Sequence, residues 1–180
     1  IDGVPISSLD DDAATLLRRK EFGFVFQAFH ILPHLTLKQN IALPLLLNDM
    51  SLDRVEQMLA DVGLAGRGNH FSRQLSGGEL QRIAIARMLL KKPAIMIFDE
   101  ATSSLDSETE RSIMKEIRRV SEGHTALIIA HRLSTVVDAD EIAVLEDGQI
   151  VERGKHNELL QRNGRYAALW QAQQASGEIN

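Results

Sequence analysis

The stretch Gln74 to Asp106, QLSGGELQRIAIARMLLKKPAIMIFDEATSSLD, carries three devices in one run. Leu75-Ser76-Gly77-Gly78-Glu79 puts small residues just ahead of a helical pattern from Gly77 to Lys91. Two glycines let the backbone come close to a ligand. A helix N-terminus offers unpaired N–H groups and a positive dipole end, which suits a phosphate. Ala94-Ile95-Met96-Ile97-Phe98 is an apolar run of strand length between Pro93 and Asp99-Glu100. Continuous hydrophobicity predicts a strand buried on both faces of a parallel sheet. Ligands of such sheets gather beyond the carboxyl ends of strands, where Asp99 and Glu100 fall. Ser103-Ser104-Leu105-Asp106 is a polar turn ahead of the next helix. Taken singly, each device has a plain alternative. A serine with two glycines is also an ordinary turn and cap, and two acids after an apolar run are also a solvated strand end.

Around this run the chain has 180 residues, room for one domain with a real core. A hydrophobic fraction of 44% and a charged fraction of 25% are ordinary for a globular chain. The net charge of -5 argues against a nucleic-acid surface, though not against phosphate binding through local backbone dipoles and a metal ion. With no cysteine, disulfide and thiolate chemistry are excluded. The longest apolar run, Ile41 to Leu47, is interrupted by Pro44 and falls far short of the roughly 20 residues that span a bilayer. A membrane role therefore requires a partner or a segment other than these residues.

Upstream, Ile1 to Leu9 reads as a strand end, a turn and a short extended piece. Asp10 to Arg19 reads as a helix with acids first and Arg18-Arg19-Lys20 last, matched to its dipole. Phe22 to Phe26 is a predicted strand, and Gln27 follows it directly; the plain reading of Gln27 is a solvated strand-end amide. From about 28 to 92 the pattern is helical, with Thr36 opening one helix and Ser51 capping another. Downstream, Ser107 to Ser121 is an amphipathic helix with Ile113, Met114, Ile117 and Val120 on its apolar stripe. Thr125 to Ala130 is a second apolar strand, with His131 just past its end and a short helix starting at Arg132. Residues 141–152 read as a hairpin turning at Asp147-Gly148, followed by helices over Lys155 to Arg162 and Arg165 to Ala175. Tyr166, Leu169 and Trp170 share a face that suits core packing.

The central run resembles the ATP-binding cassette (ABC) ATPases. LSGGELQR is similar to their signature motif, IMIFDE to Walker B with the catalytic glutamate, and SSLD to the D-loop. The resemblance implies an α/β, P-loop NTPase-like fold: a mainly parallel sheet with an inserted helical subdomain. Residues 1–27 and 93–180 would form the core, and about 28–92 the helical subdomain with the signature helix. It implies ATP and Mg²⁺ as cofactors. Asp99 would hold the metal, usually through water, and Glu100 would polarise the attacking water. Gln27, as the Q-loop residue, would join the metal shell, and His131, as the switch histidine, would contact the γ-phosphate. These four serve the chain's own nucleotide. Ser76, Gly77 and Gly78, with Glu79 beside them, would cap ATP held by a partner, and Asp106 would couple the two sites.

The implied partners are a second ABC ATPase domain, identical or not, packed head-to-tail around ATP, and a transmembrane permease domain or subunit, with no nucleic acid. The implied place is the cytoplasmic face of a membrane. Phe29, His30, Ile31 and Leu32 would meet a short helix of the membrane subunit, or else Phe29 and Leu32 pack the helical subdomain. Residues 22–47 resemble stand-alone ATPases of lipoprotein-release and macrolide-export systems. The half from His124 onward resembles the ATPase domain of fused exporters. Both favour export. Nothing in the 180 residues matches the family's Walker A loop, GxxGxGK[ST]; Gly3 and Gly23 are isolated, and Lys20 and Lys38 follow no glycine loop. The expectation is that about 60 residues of the family's domain lie upstream and that an apolar edge of the Ala94–Phe98 strand is left uncovered. Two other readings stay open: a non-catalytic cassette remnant that completes a partner's site, and a soluble ABC ATPase outside transport.

Overall fold

The computed structural model describes residues 5–99, 114–115, 117–119 and 121–176. They fall into two compact units, residues 1–129 and 130–180, taken here one at a time.

The first unit opens with a 3-10 turn, Ile6–Ser8, where an extended piece is expected. Pro5 at φ -64° presets the turn, and its carbonyl accepts from both the Ser8 amide at 3.1 Å and the Ser8 hydroxyl at 2.7 Å. Helix α1, Asp11–Glu21, is capped by the Asp10 carboxylate, which accepts from the Ala13 N–H at 2.8 Å. Strand β1, Phe22–Phe26, follows without a loop. Strand β2 is Ile95–Asp99 and strand β3 is Thr125–Ile129. The three form a parallel sheet in the order β1-β2-β3, with Phe26 opposite Asp99 and Asp99 opposite Ile129.

Helices fill the interval between β1 and β2. Thr36 starts α2, Leu37–Leu46, through a capping box with Gln39: the Thr36 N–H donates to Gln39 Oε1 at 2.9 Å, and the Gln39 N–H donates to Thr36 Oγ1 at 3.2 Å. Ser51 does not cap the next helix. It bonds Asp53 instead, and α3, Val55–Asp61, starts later from Arg54. The local Ser-Asp turn satisfies the very groups a helix start would use. Helix α4, Gly77–Leu90, begins at Ser76 as the sequence predicts.

Helix α4 belongs to two cores at once. Its Ile83, Ala86 and Leu90 pack with Leu37, Ile41 and Leu45 of α2 and with Val55, Met58 and Leu59 of α3. Its Ala84, Ile85 and Met88 pack on Val25, Met96 and Phe98 of the sheet, joined by Met114 and Ile117 from a further helical stretch. Burial on two sides explains why α4 is apolar nearly all round. The close approach to β1 requires Gly23: a Cβ there would lie 2.4 Å from Met88 Cγ and 2.7 Å from Pro93 Cγ.

Two expectations about the sheet are corrected. The β2 strand is central, so both of its edges are paired, and the open edges belong to β1 and β3. Nor is it buried on both faces. Met96 and Phe98 are buried, whereas Ile95 and Ile97 are half-buried. They share their face with Phe22, Phe24 and Phe26, whose rings stack in a row at 6.0 and 5.5 Å, and with the exposed Leu127 and Ile129. The β3 strand, read as buried from its apolar sequence, is largely exposed. No described element covers this face, so hydrophobicity at these positions exceeds the burial they receive.

The second unit holds a 3-10 turn, Leu133–Thr135, and an antiparallel hairpin of β4, Ile142–Glu146, and β5, Gln149–Gly154. Asp147 and Gly148 turn the hairpin at φ 50° and 76°, the positive pair that a tight right-twisted hairpin needs. Helices α5, His156–Gln161, and α6, Arg165–Ala175, follow. The Glu152 carboxylate of β5 caps α6 by accepting from the Arg165 N–H at 3.1 Å and the Tyr166 N–H at 2.8 Å. Gly164 makes room for it; a Cβ there would sit 1.7 Å from Glu152 Oε1. Tyr166 is fully buried, its hydroxyl 2.8 Å from His156 Nδ1, and burial pushes its phenol pKa up. This face is core packing, as its sequence indicates.

Candidate functional site

Parallel register puts the first group of predicted residues at one edge of the sheet. Asp99 is the last residue of β2 and pairs with Phe26, the last residue of β1, so Gln27, one residue past Phe26, follows at the same carboxyl end of the sheet. Gln27 is exposed and Asp99 half-buried. Neither side chain has a hydrogen bond or ion pair among the described residues. Two oxygen-bearing groups left free at a strand edge form a donor set suited to a hard cation and the phosphate oxygens it accompanies. Among the described residues no cluster of three or more metal-binding side chains occurs. Glu100, Ser103 and Asp106 lie outside the described residues. His131 belongs to the second unit; it is exposed, and its carbonyl accepts from Gln173 Nε2 at 2.7 Å.

The second group sits at the N-terminus of α4. Ser76 and Gly77 are exposed, Gly78 is buried and Glu79 is half-buried. Ser76 and Glu79 form a full capping box. The Ser76 N–H donates to Glu79 Oε2 at 2.8 Å, the Ser76 hydroxyl donates to the same oxygen at 3.0 Å, and the Glu79 N–H faces Ser76 Oγ at 3.4 Å. Arg67, in the turn after α3, pairs with Glu79 Oε1 and donates to the Gln74 carbonyl at 3.1 Å. The Ser76 backbone bond, above all, holds the Glu79 carboxyl below its ordinary value; burial opposes this, and the Ser76 hydroxyl, Arg67 and Arg82 assist.

Glu79 therefore stabilises the folded chain in its charged form. A lowered folded pKa means that this contribution is complete above the ordinary glutamate pKa and is lost as pH falls through the lowered one. Urea midpoints of the wild type and of Glu79→Gln should differ at neutral pH, and the gap should shrink as pH falls below the ordinary glutamate range. A gap that stays constant over that range would remove the charge on Glu79 from the account.

The structure does not bring the two groups together. Ser76 and Arg87 stand at opposite ends of α4, separated by about 16 Å of helix at 1.5 Å per residue. The Gln27 end is the Arg87 end. Arg87 Nη1 donates to the His30 carbonyl at 2.9 Å and Nη2 to the Phe29 carbonyl at 2.8 Å. Phe29 and His30 are consecutive left-handed residues, φ 53° and 45°, a conformation that costs about 1–2 kcal/mol for each non-glycine residue. On the other side of the same loop, the fully buried Asn40 accepts from the Leu32 N–H at 2.8 Å. Its amide donates to the Leu32, Leu35 and Thr36 carbonyls at 3.0, 3.2 and 3.1 Å.

Sequence reasoning missed Arg87, Asn40 and Arg67. The signal for Arg87 was present: it is a lone polar residue inside an apolar helical run, IAIARMLL. The expected patch after Gln27 divides. Phe29 and Ile31 pack against the cores, while His30 and Leu32 are exposed.

Comparisons with known proteins give a consistent result. The ABC transporter family profile matches residues 1–103. The chain is 56% identical over 105 residues to ATP-binding cassette sub-family B member 6 of Xenopus tropicalis, covering 58% of this chain and 12% of that protein. It is 45% identical over 173 residues to the leukotoxin translocation ATP-binding protein LktB of a Pasteurella haemolytica-like species, covering 86% of this chain and 23% of that protein. Thus the chain spans between about an eighth and a quarter of these relatives' length. Among solved structures, the ATP-binding cassette MJ0796, dimeric in a post-hydrolysis state with ADP and Pi, matches with a TM-score of 0.74 and 36% identity. That match covers 86% of this chain and 71% of that one. A bacterial Atm1-family ABC exporter with ATP bound matches with a TM-score of 0.74 and 39% identity, over 89% of this chain and 29% of that one.

Proposed function

The chain belongs to the ABC transporter family, and from that premise we propose that its residues form part of an ATP-binding and ATP-hydrolysing cassette that energises transmembrane transport in the export direction. The observation that carries this reading is that the two groups stand on different elements, one at the carboxyl ends of β1 and β2 and the other at the N-terminus of α4. The Gln27–Asp99 edge faces the chain's own nucleotide. The exposed Ser76–Gly77 tip, about 16 Å along the helix from Arg87, which clamps the loop after Gln27, faces a nucleotide held by a second cassette. The dimeric state of the MJ0796 cassette and the ATP in the Atm1-family exporter support a head-to-tail pair around ATP.

Asp99 and Gln27 would hold Mg²⁺, which when bound neutralises charge on the phosphoryl oxygens. Glu100 orients the attacking water and accepts its proton. His131 donates to the γ-phosphate oxygens. Ser76 and the Gly77 and Gly78 N–H groups close over the partner's nucleotide, with Glu79 setting their geometry, and Asp106 links the two sites. Catalysis is then positioning plus charge stabilisation of a transferring phosphoryl group. Residues 28–92 act as the helical subdomain and residues 1–27 and 93–180 as the core. A transmembrane permease domain is the second partner, contacted through the exposed His30 and Leu32, which places the cassette on the cytoplasmic face of a membrane. No helix among the described residues is long and apolar enough to cross a membrane.

Gly77→Asp tests the reading. It adds a carboxylate at the exposed tip, where a phosphate would approach, and leaves the sheet edge untouched. In the intact protein, ATP-driven dimerisation followed by light scattering should disappear together with turnover. Dimers that form and hydrolyse ATP at the wild-type rate would refute it.

A further inference from the structure

We propose that Arg87 is a positioning residue for Gln27: from the far end of the signature helix it holds the loop that aims Gln27 across the Asp99 edge. The inference rests on the assignment of Gln27 to the nucleotide site and deepens it. Arg87 is half-buried, and the desolvation lowers its pKa. Its guanidinium is spent on two main-chain carbonyls, Phe29 at 2.8 Å and His30 at 2.9 Å, rather than on a carboxylate. Withdrawing part of a cation from water costs free energy that its two carbonyl bonds offset, and both bonds are made to the loop that follows Gln27.

That backbone is unusual in its own right. Phe29 and His30 are both left-handed, which non-glycine residues adopt when their surroundings impose it. The loop closes tightly on the end of β1. The Phe29 N–H donates to the Phe26 carbonyl at 3.0 Å, the His30 N–H to the Ala28 carbonyl at 2.6 Å, and the His30 ring meets the Phe26 ring edge at 4.9 Å between centroids. Gln27 is thus enclosed in a turn whose entrance is a sheet strand and whose exit is clamped to α4. The fork geometry of arginine fits the task, because two successive carbonyls demand two divergent donors. Helix α4 carries Ser76 at its other end, so one rigid element holds both the tip that faces a partner and the clamp that aims Gln27.

The test is a double-mutant cycle on ATP turnover in the intact protein, with Arg87→Gln, Arg87→Lys, Gln27→Ala and the Arg87→Gln/Gln27→Ala double variant. Arg87→Gln should lower kcat about 10- to 100-fold, the range for a displaced catalytic group, and change KM for ATP less than about 2-fold. Arg87→Lys, which can reach one carbonyl, should fall between the two. In the Gln27→Ala background, Arg87→Gln should have almost no further effect, because the group it positions is gone. Amide exchange at Phe29 and His30 should rise about 10-fold or more in Arg87→Gln, while amides of α2 and α3 stay protected. That second measurement reports the clamp even if turnover is lost to poor folding. Full additivity of the two substitutions, or unchanged exchange at Phe29 and His30, would overturn the proposal. Wild-type turnover by Gln27→Ala would instead overturn the assignment of Gln27 itself.

Discussion

Glu100→Gln in the intact protein should leave ATP binding in place and lower hydrolysis by roughly 10²–10⁴-fold, the range for a positioned acid-base group. The residue follows Asp99, and Asp99 ends the central strand of the sheet opposite Phe26. Ligands of parallel sheets collect beyond the carboxyl ends of such strands, and Glu100 is the next residue in the sequence. Glutamine keeps the size and most of the hydrogen bonding of glutamate, but it cannot take a proton from water. Binding measured by calorimetry with Mg-ATP and turnover measured by phosphate release should therefore separate. Hydrolysis by Glu100→Gln at near-normal rates would assign the base elsewhere.

An effect of equal size is expected when residues 1–180 are prepared alone: no tight ATP binding and no measurable phosphate release. Nothing in the sequence matches GxxGxGK[ST], the loop whose backbone N–H groups and lysine hold the β- and γ-phosphates. The groups present at the Gln27–Asp99 edge are neutral or acidic, and carboxylates repel a polyphosphate that no other group holds. On the proposed assignment the Ser76–Gly77 tip would serve a different nucleotide. The same preparation should aggregate. Phe22, Phe24 and Phe26, Ile95 and Ile97, and Leu127 and Ile129 make one continuous apolar sheet face that no described element covers, beside the open edge of β3. Light scattering during concentration and a calorimetric titration with Mg-ATP are the measurements. Micromolar affinity with steady turnover by this chain alone would show that the nucleotide site has been placed wrongly.

Much of this architecture is legible in the residues themselves. The Ser76–Glu79 and Thr36–Gln39 pairs announce their helices because a capping box is a local device, complete within four residues. The Asp147-Gly148 turn is legible for the same reason. Gln27 and Asp99 meet at one edge because two short strands of equal length pair in parallel and in register, each ending where its apolar run ends. What could not be read is non-local. The exposure of β3 depends on what lies against it, and composition cannot say. Ser51 looks like a cap until its hydroxyl is seen to prefer Asp53. What Arg87 and Asn40 do could not be read even though Arg87 stands out in its apolar run, because their partners are main-chain carbonyls, which carry no signature in the side-chain alphabet.

The Ser76–Glu79 box changes what an anion meets at the tip of α4. The Ser76 hydroxyl and N–H are already committed to the Glu79 carboxylate, itself a small anion built into the chain and steadied by Arg67. A phosphate arriving there enters an exchange reaction: one oxyanion leaves the hydroxyl as another takes it, and the net gain is only the difference. Free phosphate at ordinary concentrations competes poorly with a tethered carboxylate. A phosphate delivered by a second protein surface, already held at its far end, competes well because its effective concentration is high. On the proposed reading the built-in anion would act as a discriminator, keeping the tip closed to solutes and open to a nucleotide that comes attached to a partner.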